Sequence, residues 1–403
     1  MLSGAVLLPA ADGSVAFLPH AQVHWDAERV VAVRPVPAPA GSVRQLLLPG
    51  FVDLHCHWPQ SHVRGQFGGE LLPWLRESIW PAEAAFGDPA VAADRATGFR
   101  ADIVRAGTCA GLFFGAPFAE ATRTFLQATP EGFLEGPAIM SRNAPPAVLC
   151  PAQTALARLA AFPGHLRARL AIAPRFAPNL SAADLRDCAG LAGALGLPVQ
   201  SHLAENLDEL AWVRALFPEA RDYTEVYETA GLLGSRTVLA HAVHVTDTEL
   251  ARLAATRTVI AHCPTSNQAL ASGRMPLERL RRAGVEWVLA TDVGAGPKLS
   301  QLHVMQTLLQ VHADHAAVTA AEALARATAI PGAWLAAANP LLRGLGTLEV
   351  GAPAHIVALR MPDLPRRGQT AEAVLRALLA TPAAAMETLP QQVVLWGRVA
   401  AGT

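Results

Sequence analysis

Pro49-Gly50-Phe51-Val52-Asp53-Leu54-His55-Cys56-His57 is the stretch on which the reading of this chain turns. An apolar run ends in two histidines one residue apart. In a strand, side chains at i and i+2 point to the same side, so His55 and His57 face one point at the strand's end. The pair alone is weak evidence, because two ordinary histidines produce it as readily as a metal site does. Position strengthens it: in barrels of alternating strands and helices, functional residues sit where strands end and loops begin.

Outward from this stretch the chain alternates. Strand-like apolar runs fall at residues 51–56, 108–114, 138–141, 170–173, 199–202, 237–240, 258–262 and 287–291. Helical patterns lie between most of them; in 207–217, Leu210, Val213 and Leu216 recur at helical spacing. Eight such runs over roughly 240 residues predict an α/β fold, a (β/α)8 TIM-type barrel. A doubly wound open sheet would carry a Gly-rich phosphate loop after an early strand, and neither common form of that loop occurs. Both ends of the chain read differently. Short apolar runs at 5–8, 14–18, 30–33 and 46–48, with an Asp12-Gly13 hairpin signal, are matched near the C-terminus by 354–359 and 393–399. They predict a small β-sandwich domain from residues 1–48 plus 345–403, beside a barrel of 49–344.

Composition narrows the function. The 403 residues suffice for one large domain, or a large and a small one. Apolar residues make up 52% and charged ones 16%, which fits a packed globular enzyme and not a disordered chain. A formal charge of -1 gives no reason to expect nucleic acid or an anionic membrane as partner. Lys298 is the sole lysine, which reads as compositional bias toward arginine. Five cysteines (Cys56, Cys109, Cys150, Cys188, Cys263) are scattered without a C-x-x-C pair, so a reducing cytoplasmic setting is expected and a disulfide framework is not. No basic start with an apolar run marks a secretory signal. The Ala-rich stretch 320–338 is broken by Glu322, Arg326, Pro331 and Gly332, and reads as helix and loop, not as a membrane span.

Further metal-compatible residues follow the later runs. His202 ends one and is followed three residues on by Glu205; His241 ends the next; Asp292 ends the last. Each alone is bland, since a strand-end histidine is usually a hydrogen-bonding residue and a single aspartate usually a helix cap. Together, at the ends of different strands, they predict a metal centre. Three imidazoles and one carboxylate suit zinc or iron, with room left for water. Such an ion brings the pKa of bound water toward neutrality. Asp292 can take the water proton, Glu205 can protonate a substrate, and His241 can stabilise developing charge.

At these residues the chain resembles the guanine deaminases of the amidohydrolase superfamily. The likeness runs through P-G-F-V-D-L-H-C-H-W-P-Q (49–60), P-W-L-R-E-S-I-W-P-A-E (73–83), A-P-R-F-A-P (173–178), S-H-L-A-E-N (201–206), A-H-C-P-T-S-N (261–267) and A-T-D-V-G-A-G (290–296). The H-x-H and final Asp are shared across the superfamily; H-x-P-Q and P-R-F are more specific. The resemblance implies one divalent ion, zinc with iron(II) as alternative, held by His55, His57, His202 and Asp292, with His241 outside the direct ligands. It implies that Gln60 contacts the purine while Arg175 and Phe176 flank it, roles that suit an amide that both donates and accepts, a cationic donor and a stacking ring. The rival readings are a surface Gln, a salt-bridged Arg and a core Phe. Trp58, Trp74 and Trp80 are expected to pack in apolar surroundings, with lining of the site as the alternative, and His262 and Asn267 to shape a loop near the site. The implied reaction is hydrolysis of guanine to xanthine and ammonia: a metal-activated hydroxide attacks C2, Glu205 protonates N3, and Asp292 relays a proton to the leaving amine. A cytoplasmic homodimer working in purine catabolism is implied as well.

The chain lacks both halves of the H-x-E and P-C-x-x-C signature of the other deaminase architecture. It departs from its resemblance at Gly296-Pro297-Lys298-Leu299-Ser300, where a Ser- or Thr-rich stretch is usual, and at His355, where the superfamily usually has Asp. Two alternatives stand beside guanine: a sister deaminase acting on another aminated ring (pterin, oxidised purine or triazine), and an inactive scaffold relative.

Overall fold

A computed structural model describes residues 1–37, 45–67, 71–361 and 368–402. In chain order the strands are β1 (Leu2–Pro9), β2 (Val15–Asp26), β3 (Arg29–Pro35), β4 (Gln45–Pro49), β5 (Phe51–His57), β6 (Thr108–Gly115), β7 (Phe133–Ile139), β8 (Ala173–Pro174), β9 (Val199–Leu203), β10 (Thr237–His241), β11 (Val259–His262), β12 (Trp287–Leu289), β13 (Ile356–Arg360), β14 (Pro390–Leu395) and β15 (Arg398–Gly402). The chain divides into two compact units. One is Leu54–Arg100 with Leu112–Lys298; the other is Met1–Asp53, Ala101–Gly111 and Leu299–Thr403.

The middle of the chain is α/β. Its strands form two four-stranded sheets, ordered β5-β6-β7-β8 and β12-β11-β10-β9. The pairs β7/β8, β9/β10, β10/β11 and β11/β12 are parallel, as strand–helix–strand connections require. A parallel bridge between Ile172 and Val199 links the β8 region to β9. At the other edges, His57 N–H donates to Val293 O, and Asp292 N–H donates to His55 O at 2.8 Å. Apart from the half-buried His202 in β9, these strands are buried along their whole length, as a sheet covered on both faces must be. Local chemistry delimits the intervening helices. Ser181 and Asp184 form a capping box at the start of Ala182–Leu195, and Gly196 ends that helix at φ 62°. Thr246 and Glu249 form the same box before Asp247–Thr256.

Strands from both chain ends join one seven-stranded sheet, ordered β15-β14-β13-β4-β1-β2-β3. The Asp12-Gly13 turn links antiparallel β1 and β2, with Gly13 at φ 88°. Although β2 and β14 are separated by three strands in this order, the Trp25 indole N–H donates to Gly397 O at 2.8 Å. Strands about 4.8 Å apart in a flat sheet could not make that contact, so the sheet curls. Its inner face buries Val6, Val23, Val30, Leu47, Ile356 and Val394 in one cluster.

Three strand expectations shift. The run 393–399 is two strands, because Trp396 (φ 51°) and Gly397 (φ 71°) form a left-handed hairpin turn between β14 and β15. The strand expected at 138–141 runs instead over Phe133–Ile139; residues 133–137, outside the expected run, are wholly buried. The strand expected at 170–173 is reduced to isolated bridges at Leu170 and Ile172 followed by β8. The 320–338 stretch holds helices Ala320–Arg326 and Ala329–Ala336, the second containing Pro331 and Gly332. No helix among the described residues is long and apolar enough to cross a membrane.

Candidate active site

Strand ends position the polar groups. His55 and His57 project from β5, His202 from β9 and His241 from β10, and Asp292 follows β12 by three residues. His241 (φ 75°) and Asp292 (φ 48°) take left-handed backbone conformations that non-glycine residues rarely adopt. Such conformations persist only where the surroundings over-determine them, and they gather at functional sites. Here the Asp292 N–H is held by His55 O at 2.8 Å.

The donor atoms of His55, His57, His202 and Asp292 lie within 4.8 Å of one another. His55 Nε2 is 3.2 Å and His57 Nε2 is 3.5 Å from Asp292 Oδ1, and His57 Nε2 is 3.0 Å from His202 Nε2. Burial lowers the pKa of all three histidines, at His55 against the opposing pull of Asp292 and at His57 and His202 with the help of neighbouring cationic groups, which favours the neutral imidazole at each. His202 Nδ1 meets the Arg175 carbonyl at 2.6 Å. A carbonyl can only accept, so Nδ1 carries the proton and the Nε2 lone pair faces the cluster. Burial favours the neutral form of Asp292, but its hydrogen bond to His55 and the surrounding histidines outweigh it and lower its pKa overall, which favours the carboxylate. Three neutral imidazoles and a carboxylate converging on one point fit a divalent ion such as zinc or iron. Phe114 stacks on the His57 ring at 4.6 Å and 12°, holding its plane.

Glu205 stands beside this cluster, 2% exposed. Burial pushes its carboxyl up to about 7 against the opposing pull of His241. Ser272 donates to its Oε1 at 3.0 Å, and Oε2 lies 3.5 Å from His241 Nε2. His241 Nε2 is also 3.8 Å from Asp292 Oδ2, while its Nδ1 bonds Asn267 Oδ1 at 2.9 Å. Burial would lower the His241 pKa, but the charges of Glu205 and Asp292 raise it overall.

Gln60, Arg175 and Phe176 line the same cavity as His57, His202, Glu205, His241 and Asp292; its empty space is about 410 Å³. The rival sequence readings describe part of what is seen. Arg175 is salt-bridged, its Nη1 lying 2.7 and 2.6 Å from the two oxygens of Glu83, and Phe176 packs edge-on against Trp212 at 5.8 Å. Gln60 is no surface residue, being 1% exposed. Trp74 reaches the cavity, whereas Trp80 sits in the adjoining apolar cluster and Trp58 stacks on Phe125 at 5.0 Å. In the 290–300 segment, Asp292 and Ala295 line the cavity and Lys298 does not.

A family model described as the amidohydrolase family matches residues 46–394. The chain belongs to the amidohydrolase family. Among curated relatives of this amidohydrolase, a probable guanine deaminase of Deinococcus radiodurans is 39% identical over 346 residues, covering 82% of this chain and 76% of the relative. A guanine deaminase of Escherichia coli K12 is 34% identical over 275 residues, 66% of this chain and 63% of the relative. Among solved structures, the E. coli guanine deaminase superposes with a TM-score of 0.85 at 26% identity, covering 98% of each chain. The family's matched span contains every polar group of the cavity described above.

Sequence reasoning passed over several groups in this amidohydrolase. Glu83 lies inside a quoted motif but drew no role. Glu209 accepts from the Glu205 and Asn206 N–H groups at 2.8 and 3.2 Å, and Tyr223 donates to it at 2.9 Å. Its signal was present: Asn206 followed three residues later by Glu209 is a capping box. Cys263 brings its sulfur within 4.8 Å of donor atoms of His241 and Asp292, a proximity that no spacing announces.

Proposed function

We propose that this amidohydrolase hydrolyses guanine to xanthine and ammonia, using one zinc ion held by His55, His57, His202 and Asp292. One observation carries the reading: the cluster of His55, His57, His202 and Asp292 opens through His57, His202 and Asp292 onto one cavity that Glu205, Gln60 and Arg175 also line. Relatives named as guanine deaminases at 39% and 34% identity support the substrate. When bound, the ion supplies a water acidic enough to act as hydroxide near neutral pH.

The chain's own groups do the rest. Asp292, ionised and 3.2 Å from His55, accepts the proton of the attacking water. Glu205, which holds its proton up to about pH 7, delivers it to ring N3 as C2 becomes tetrahedral. His241, whose pKa is raised overall, stands 3.8 Å from Asp292 Oδ2 and can stabilise the charge that develops on the oxygen at C2. The proton taken by Asp292 passes to the amino group, which leaves as ammonia, and the remaining hydroxyl proton at C2 returns to Glu205 as the C2 carbonyl forms. Gln60, Arg175 and Phe176 bind and orient the ring, with Phe176 against its face.

The same reading closes the two four-stranded sheets into a (β/α)8 barrel of residues 49–344. The Ile172–Val199 bridge and the His57–Val293 bond support closure. It makes residues 1–48 and 345–403 a small β-sandwich, supported by the Trp25–Gly397 bond across the curled sheet. The protein works as a cytoplasmic homodimer in purine breakdown; light scattering on the purified chain tests the dimer.

The test of function is ammonia release from guanine by the metal-loaded protein. Glu205→Gln should lower the rate by about 10²–10⁴ with metal content unchanged. No release despite one bound ion per chain would move the substrate to another aminated ring. Absence of both metal and turnover would favour the scaffold reading.

A further inference from the structure

Glu83 is wholly buried, and the mechanism above makes no use of it. Its two oxygens collect three hydrogen bonds: Gln60 Nε2 donates to Oε1 at 2.7 Å, and Arg175 Nη1 lies 2.7 Å from Oε1 and 2.6 Å from Oε2. Gln60 and Arg175 are themselves 1% and 3% exposed and line the cavity beside Glu205 and Asp292. A carboxylate is therefore spent on holding two cavity residues, not on the cavity itself.

The chemistry of that grip is directional. An ionised carboxylate only accepts, so it selects one of the two orientations of the Gln60 amide. The NH2 turns to Glu83, and Oε1 turns to the opposite side, where Gly294 N–H lies 3.4 Å away. The flipped amide would set two oxygens 2.7 Å apart in a buried place. Gly294 has no room to be anything else, because a Cβ there would meet Gln60 Cβ at 2.8 Å. On the other side, the grip on Arg175 uses Nη1 alone, which leaves the donors on Nη2 and Nε of a guanidinium that lines the cavity.

We propose that Glu83 is a positioning residue that makes the cavity selective for a lactam edge, an N–H beside a C=O, over the amidine edge of a 6-aminopurine. Arg175 donates to the ring carbonyl and Gln60 Oε1 accepts from the neighbouring ring N–H. A 6-aminopurine offers the reverse, a ring-nitrogen acceptor beside an amino donor, and sets donor against donor and acceptor against acceptor. A site built around paired polar groups rejects a mismatched ligand strongly, because its buried groups are left unpaired. The inference rests on the purine reading of this site.

Hypoxanthine and adenine test it without turnover at C2, since neither carries a 2-amino group. Calorimetric titration of the metal-loaded wild-type protein should show hypoxanthine bound more tightly than adenine by a factor of roughly ten or more. In Glu83→Gln, which can donate as well as accept, the Gln60 amide is free to flip and the preference should fall about tenfold. Metal content and the far-ultraviolet circular dichroism should stay as in wild type. Glu83→Asp serves if that variant does not accumulate: a carboxylate one methylene shorter cannot hold both partners, and the preference should fall there too. Equal binding of the two purines by wild type, or an undiminished preference in a folded, metal-loaded variant, overturns the proposal. The guanine reading fails separately, by the lack of ammonia release, and a lactam preference lost with Glu83 would survive that failure.

Discussion

At the scale of single residues, the chain uses burial to set protonation, and Glu205 is not the only example. Glu135 in β7 is fully buried and pushed up to about 8 by burial, only partly offset by hydrogen bonds from Trp58 (3.2 Å) and Thr122 (3.4 Å). Its Oε2 has no hydrogen-bond partner among the described residues. A carboxyl with a raised folded pKa binds a proton that the unfolded chain releases from about pH 4.5 upward. Its contribution is therefore neutral below about 4.5, becomes steadily more destabilising as pH rises toward 8, and then levels off. The full penalty is on the order of a few kcal/mol. Glu135→Gln removes the titration. Relative to wild type, its Tm should gain between pH 5 and pH 8; a constant difference across that range would refute the account. The same neutral carboxyl explains why the strand containing it escaped the apolar-run reading: protonated and hydrogen-bonded, it behaves as a core residue while its letter reads as charge.

At the scale of elements, the effect of a glycine depends on what faces it. Gly332 lies inside helix Ala329–Ala336, where replacing glycine by alanine ordinarily adds about 1 kcal/mol. A Cβ there would stand 2.0 Å from Leu345 O, so Gly332→Ala should destabilise by roughly 1–3 kcal/mol. Gly193, inside helix Ala182–Leu195, has nothing within 4 Å of an added Cβ. There the ordinary rule holds, and Gly193→Ala should stabilise by about 0.5–1 kcal/mol. Urea unfolding of the two variants checks the pair, and shifts of the same sign would refute the contrast. Local patterns located most elements because periodicity and caps are local. They misjudged 393–399 because the turn at Trp396–Gly397 carries no Asn-Gly or Asp-Gly signal and depends on the approach of Ala27, whose carbonyl lies 1.7 Å from where a Gly397 Cβ would be.

At the scale of the whole molecule, the ligand cluster couples metal to stability. His55, His57, His202 and Asp292 are brought together from β5, β9 and the segment after β12, so the proposed ion would bind the folded chain and not the unfolded one. Zinc at a hundred times its dissociation constant should add about 2.7 kcal/mol. A chelator should lower Tm and abolish ammonia release together, and His202→Ala should lose the zinc-dependent rise in Tm. A Tm indifferent to zinc in the wild-type protein would count against the proposed centre.

What the sequence determined by itself was whatever depends on neighbours along the chain. The i, i+2 spacing of His55 and His57, polar residues ending apolar runs, the Asp12-Gly13 turn and the capping boxes are all of this kind, and their pattern already resembled one family. What only the tertiary structure decided depends on groups far apart in the chain. The Trp25–Gly397 bond that reveals the curl of the seven-stranded sheet spans 372 positions. The grip of Glu83 on Arg175 spans 92 positions, and the approach of Gln60 to Gly294 spans 234. Orientation of an amide, the tautomer of an imidazole and the proton on a buried carboxyl follow from what lies within a few ångströms in space, and chain order does not encode that distance.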